Sequence, residues 1–185
     1  MENMKGMWHH IPKVNIDTKP IFEWLGKEDN DNPNDYGLYA IPLPDEYMTY
    51  LKNLFYVKID YAYVGKFYAN SWFNWHKDGR RTCAINMLLT AQNDTQRCWM
   101  VEPNTFERYE VPYQPNVPLI FNTMNPHKIE NDHPNLHRYL LTISFYDKAH
   151  DGSGFTFDEL VNFYEKGWMV NESDQIQKRP ELGIR

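Results

Sequence analysis

The sequence predicts a mainly β protein built as an antiparallel sandwich or jelly roll. Three observations carry this. From Lys58 onward, short runs of β-branched and aromatic residues alternate with clusters of Pro, Asn and Asp. Seven such runs succeed one another without a helical stretch between them, a pattern of sandwiches and jelly rolls rather than of βαβ units. The chain is also rich in rings, with 6 Trp, 13 Tyr and 10 Phe among 185 residues. Rings supply large buried area and favour strands, so a β core of this size is stable without staples.

Before the strands, the first 57 residues carry two helical signals. Asp17 caps a segment through Ile21, Phe22, Trp24 and Leu25, and Gly26 ends it. A polar loop follows over 27–35. Pro44, Asp45 and Glu46 open a second helix, with Tyr47, Tyr50, Leu51 and Leu54 at helical spacing. The strands are then expected at 59–68, 82–89, 98–102, 106–111, 118–122, 127–130 and 138–145. The segments 92–94, 103–104, 112–115, 125–126 and 131–135 break them. Asp151-Gly152-Ser153-Gly154 reads as a hinge. Thr156 then caps a helix whose face is Phe157, Leu160, Val161 and Tyr164, and Gly167 stops it. The polar tail from Asn171 is expected to be loosely held. The organisation expected is one domain: a helical and loop flank over 1–57, a jelly-roll core over 58–146, and a helix with a tail over 147–185.

Composition excludes several classes. A net charge of −6 does not suggest a nucleic-acid or anionic-membrane partner. No apolar stretch reaches the roughly 18–20 residues of a membrane helix. Residues 1–10 lack the apolar run of a signal peptide, and Cys83 and Cys98 do not make a disulfide framework. A cytoplasmic, reduced setting is therefore expected. Both cysteines read as packed strand residues.

The chemistry-bearing stretch is Trp75-His76-Lys77-Asp78-Gly79-Arg80-Arg81. In extended chain, residues i and i+2 share a face, so His76 and Asp78 stand side by side. An imidazole and a carboxylate so placed are two-thirds of a two-His-one-carboxylate metal site, and on their own they also suit a solvated surface turn. His127 heads a later strand and can supply the third ligand. Arg138 opens the strand that follows. There Tyr139, Leu141, Ile143 and Phe145 form an apolar face, while Arg138, Leu140, Thr142 and Ser144 form a mixed one. An arginine in line with Thr and Ser suggests a polar cavity inside the sandwich. Its planar fork suits a carboxylate held at two points, although a strand-edge cation over solvent fits the same pattern.

His76-x-Asp78, then His127, then Arg138 resembles the motif of the 2-oxoglutarate/Fe(II)-dependent dioxygenases, with small prolyl-hydroxylase-like and aspartyl/asparaginyl-hydroxylase-like members nearest. Tyr63-Val64-Gly65-Lys66-Phe67-Tyr68, Arg81-Thr82-Cys83-Ala84-Ile85-Asn86 and Asn125-Pro126-His127-Lys128-Ile129-Glu130-Asn131 resemble the flanking strands of that superfamily. The similarity spans about 58–146, and the run 69–75 is longer than the usual gap before the first histidine. The resemblance implies a double-stranded β-helix (a cupin-like jelly roll) with a few flanking helices. It implies Fe(II) bound by His76, Asp78 and His127, with O2 and 2-oxoglutarate as cosubstrates. Arg138 would meet the distal carboxylate of 2-oxoglutarate, aided by Tyr68, Tyr63 or Asn86. The activity implied is hydroxylation of an amino-acid, peptidyl or other small-molecule substrate, with release of succinate and CO2. The alternatives are a cupin-like metalloenzyme that does not use 2-oxoglutarate, and a non-catalytic binding or virion-associated domain on the same fold.

Other candidates carry less. Pro134 argues against a helical metal pair of His133 and His137, and His9 and His10 read as surface residues. Unbroken alternation through 72–78 places Trp72, Asn74, His76 and Asp78 on the cavity side. Trp72 is then expected at the substrate entrance and Trp75 in the core, unless a bulge in 69–75 inverts the two.

Overall fold

Among the described residues, ten strands form two antiparallel sheets that face each other across an internal cavity. The computed structural model describes residues 3–28, 38–79, 81–91, 94–145 and 155–171. The expected hinge at 151–154, most of the loop 27–35, Gln92-Asn93 and the tail beyond 171 lie outside the described residues.

The major sheet has the order β1-β8-β5-β10-β3-β2, from strands β1 (Trp8–His10), β2 (Leu38–Pro42), β3 (Ile59–Phe67), β5 (Ala84–Leu88), β8 (Pro118–Phe121) and β10 (Arg138–Phe145). The minor sheet has the order β4-β9-β6-β7, from β4 (Ser71–His76), β6 (Gln96–Val101), β7 (Arg108–Glu110) and β9 (His127–Asn131). This is the double-stranded β-helix expected from the sequence. Two strands of the major sheet, β1 and β2, come from the first 57 residues, where only helices were legible. They are short, and one is only three residues, too brief for alternation to register.

Alternation along β10 divides the interior in two. Leu141, Ile143 and Phe145 join Val64, Ile85 and Ile120 in a core on the outer face of the major sheet. Helices α1 (Lys19–Glu28), α2 (Asp45–Leu54) and α3 (Phe157–Glu165) cover that face with Ile21, Leu25, Tyr47, Leu51, Phe157 and Leu160. On the inner face, Leu140, Leu88, Leu119 and Phe121 meet Cys98, Met100 and Ile129 of the minor sheet in a second core. Burying both faces explains why β5 and β8 are buried at every position and show no alternation of polarity.

The helix ends follow the local signals. The Asp17 carboxylate accepts the Lys19 N–H at the start of α1. The helix continues through Gly26 to Glu28 instead of stopping there, since glycine inside a helix costs only about 1 kcal/mol. Thr156 and Glu159 form a reciprocal capping box on α3, and Gly167 follows that helix at φ +70°.

Candidate metal centre

Strand pairing brings the two histidines together. β4 runs beside β9 with His76 opposite His127, and their ring centroids lie 4.2 Å apart. The ladder slips between Phe73 and His76, a bulge that turns the chain by one position. His76 therefore faces the cavity together with Phe73, whose ring meets it edge-on at 4.1 Å. The expected parity of this strand is corrected accordingly. Trp72 is 58% exposed and does not line the cavity. Trp75 is not in either core. It lies on the outer face of the minor sheet between Arg108 and Lys128, which approach its ring to 5.4 and 5.5 Å. Asn74 is exposed, and only its carbonyl serves the site.

Asp78 follows in the loop after β4. One ligand atom from each of His76, Asp78 and His127 falls within 4.8 Å of the others, a geometry that can hold a metal ion. The imidazoles are oriented for this by their own backbone. His76 Nδ1 lies 2.6 Å from the Asn74 carbonyl and His127 Nδ1 lies 2.9 Å from the Asn125 carbonyl. A carbonyl only accepts, so both Nδ1 atoms carry the proton and both Nε2 lone pairs are free to ligate. His76 Nε2 stands 3.8 Å from Asp78 Oδ1. His127 is held neutral: burial, then the neighbouring His76, lower its pKa from 6.5 to about 4.

Arg81, which the sequence reading named in its motifs but gave no role, ties this corner together. Its Nε donates to Asp78 Oδ2 at 2.6 Å, Nη1 donates to Ser144 Oγ at 3.1 Å, and Nη2 donates to the Tyr63 hydroxyl at 3.4 Å. Burial opposes the charge, but Tyr63 and Asp78 outweigh it and hold the guanidinium pKa above its ordinary value. Thr123 joins the two ligand-bearing loops. Its carbonyl accepts the Asp78 N–H at 3.1 Å, and its hydroxyl donates to the Arg81 carbonyl at 2.6 Å.

The three ligands open on a cavity of about 320 Å³ between the sheets, walled by Tyr63, Phe73, Asn86, Tyr113 and Thr142 among others. Beyond this wall lies Arg138, 1% exposed, with its guanidinium over the Tyr113 ring at 5.1 Å. Its Nε and Nη1 are buried without a hydrogen-bond acceptor. Asn86 Nδ2 donates to the Tyr113 hydroxyl at 3.1 Å, and Asn86 Oδ1 is likewise buried and unpaired. Buried polar atoms without partners are costly, and two donors of Arg138 and one acceptor of Asn86 are in that state beside Tyr113.

No protein-family model matches the chain, and no curated protein does. Solved structures do. A prolyl hydroxylase from Trichoplax adhaerens, in complex with a hypoxia-inducible-factor peptide, superposes with a TM-score of 0.58 at 11% identity, over 78% of this chain and 86% of that one. An oxidoreductase of the 2OG-Fe(II) oxygenase family from Burkholderia pseudomallei matches with a TM-score of 0.56 at 10% identity, over 77% and 86%. HygX from Streptomyces hygroscopicus, determined with nickel, 2-oxoglutarate and hygromycin B, matches with a TM-score of 0.54 at 10% identity, over 76% and 82%.

The fold is that of the 2-oxoglutarate/Fe(II) oxygenases.

Within this oxygenase fold the residues singled out from sequence divide. His76, Asp78, His127, Tyr63 and Asn86 line one cavity, with Arg138 buried behind its wall. Tyr68 does not: its ring packs on His137 at 5.1 Å, beyond the end of β3. His133 and His137 brace loops. His133 Nδ1 accepts the N–H groups of Asn135 and Leu136, and His137 Nδ1 accepts that of Ala69. His9 stacks edge-on to Tyr164, and His10 is 3% exposed, so the surface expected for it is corrected to an interior one. The roles of Arg81, Phe73 and Tyr113 were missed. Arg81 stands three residues after Asp78 in irregular chain, where no periodicity fixes direction. Tyr113 lies in the proline-flanked stretch 112–115, which reads only as a breaker.

Proposed function

We propose that the protein is an Fe(II)- and 2-oxoglutarate-dependent oxygenase of the hydroxylase type. The observation that carries the reading is a ligand set on one cavity with a buried arginine behind its wall. The ligand set is two imidazoles and one carboxylate; the arginine is one whose Nε and Nη1 have no acceptor. The donor set fits Fe(II), since two histidines and one carboxylate leave three of six positions open. The arginine fits a dicarboxylic keto acid, because a planar guanidinium meets a carboxylate in two parallel bonds.

His76, Asp78 and His127 would hold the metal, and Arg138 would take the distal carboxylate of 2-oxoglutarate. Tyr113 adds a second donor to that subsite. Its oxygen already accepts from Asn86, so its own proton is left to give. When bound, iron and the keto acid supply the oxidation: one atom of O2 enters a substrate C–H bond as hydroxyl, the other enters succinate, and CO2 leaves. The chain's residues position these partners and exclude water. Phe73 and Phe121 hem the imidazoles, Phe121 lying 5.0 Å from the His127 ring, and Leu140 and Ile129 line the walls. The substrate proposed is an amino-acid, peptidyl or other small-molecule C–H donor.

Anaerobic calorimetry tests the reading. The parent should bind one Co(II) or Mn(II) per chain, then 2-oxoglutarate, and the protein loaded with Fe(II) instead should yield succinate in air. His127→Ala should abolish the metal step. Arg138→Ala should keep it while weakening 2-oxoglutarate by about tenfold to a hundredfold, the loss of roughly 1.5–3 kcal/mol of charge-assisted bonding. Undiminished metal in His127→Ala, or parental 2-oxoglutarate affinity in Arg138→Ala, would refute the corresponding half of the assignment.

A further inference from the structure

We propose that Arg81 is a positioning residue of the metal centre, which fixes Asp78 as a ligand through one oxygen only. The inference rests on the metal-binding reading above and concerns a residue that the ligand set does not include.

An aspartate with both oxygens free can occupy either one or two positions on a metal. Asp78 does not have both free. Its Oδ2 accepts the Arg81 Nε–H at 2.6 Å, while Oδ1 is the oxygen near His76 Nε2, at 3.8 Å. The guanidinium that holds Oδ2 is itself fixed on two other strands, by Ser144 Oγ of β10 and the Tyr63 hydroxyl of β3. Its side chain is 13% exposed, so water competes little for these bonds. The backbone is anchored too, because Thr123 bonds both to the Asp78 N–H and to the Arg81 carbonyl. Asp78 rotation is thus opposed from both ends.

The consequence is a coordination number. One-oxygen binding by Asp78 leaves three positions for cosubstrate and oxygen, whereas two-oxygen binding leaves two. Lysine cannot take this role. It carries the same charge, but its three donors sit on one nitrogen at the end of a flexible stem, and it cannot reach a carboxylate, a serine and a tyrosine with a rigid planar fork. Partners that orient ligands in this way are generally worth ten- to a hundredfold in metal affinity.

The decisive variant is Arg81→Lys in the full chain, because it removes the fork while keeping the charge. Co(II) is the probe, titrated by calorimetry and followed by its ligand-field absorption, which reports coordination number and geometry. Arg81→Lys should weaken Co(II) about tenfold or more and change the absorption spectrum. Ser144→Ala, which leaves Arg81 in place but removes one of its anchors, should change both in the same direction to a smaller extent. A folded Arg81→Lys with parental affinity and spectrum would overturn the proposal. Should Arg81→Lys fail to fold, an unaltered Co(II) spectrum in Ser144→Ala would overturn it instead. A parent that takes up no Co(II) would overturn the metal reading itself, a result distinct from a parent that binds and a variant that binds identically.

Discussion

His127 shows what a buried imidazole does before any metal arrives. Its proton affinity is depressed to about 4, by burial first and by His76 second. In the unfolded chain the same group titrates near 6.5. Between those values the unfolded state binds more protons than the folded one, so stability rises with pH and is lost on acidification. His10 contributes with the same sign, since burial lowers its pKa as well. The metal-free protein should therefore lose stability as pH falls below about 6.5 towards 4. Denaturant unfolding of parent and His127→Gln across that window checks this, with a shallower slope expected in the variant; equal slopes would contradict it. At this scale much was legible. His76, Asp78 and His127 are of types that ligate metal, and their order and flanking strands were readable in the chain. That Arg138 shares the inner face of β10 was readable because it stands in line with Thr142 and Ser144. The roles of Arg81 and Tyr113 were not, because direction in irregular chain is set by tertiary packing alone.

Among the elements, β4 departs furthest from what alternation predicts. A period of two is reliable only while the ladder is unbroken, and one added residue reverses every assignment beyond it. The slip between Phe73 and His76 is such a case, and it moves both Trp72 and Trp75 out of the interior. Trp75→Ala should then cost only the contacts with Arg108 and Lys128, about 1–2 kcal/mol. Trp72→Ala should fall within roughly 0.5 kcal/mol of the parent. Both should take up Co(II) as the parent does. Urea unfolding measures the first two, and a loss of about 3 kcal/mol or more in Trp75→Ala would return that ring to a core. The remaining strands β3 and β5 to β10 lie close to their sequence-read positions, because each is bounded by turn residues. β1 and β2 had no such frame. The second helix was legible from its opening proline and apolar spacing and the third from its cap and apolar spacing, while α1 outran its glycine because packing of Ile21 and Leu25 outweighs one unfavourable residue.

The whole molecule divides the labour of its cavity by sheet. His76 and His127 belong to the minor sheet, with Asp78 just beyond β4. Tyr63, Asn86, Arg138, Thr142 and Ser144 belong to the major sheet. A ligand that chelates the metal at one end and reaches Arg138 at the other would therefore act as a further strut between two layers already joined by side-chain packing, by the Arg81 bonds and by the Asn131 bond to the Phe67 carbonyl. Such a ligand stabilises the folded form by about 2.7 kcal/mol at a hundred times its dissociation constant. The distribution of that gain is the informative part. Metal alone should slow backbone hydrogen exchange in β4 and β9. Metal with 2-oxoglutarate should extend the slowing to β5 and β10, and Arg138→Ala should confine it to the minor sheet again. Exchange that slows equally in both layers with metal alone would show that the sheets are already rigidly joined. If instead the slowing spreads stepwise, the two halves of the sandwich breathe against each other until the cosubstrate spans them.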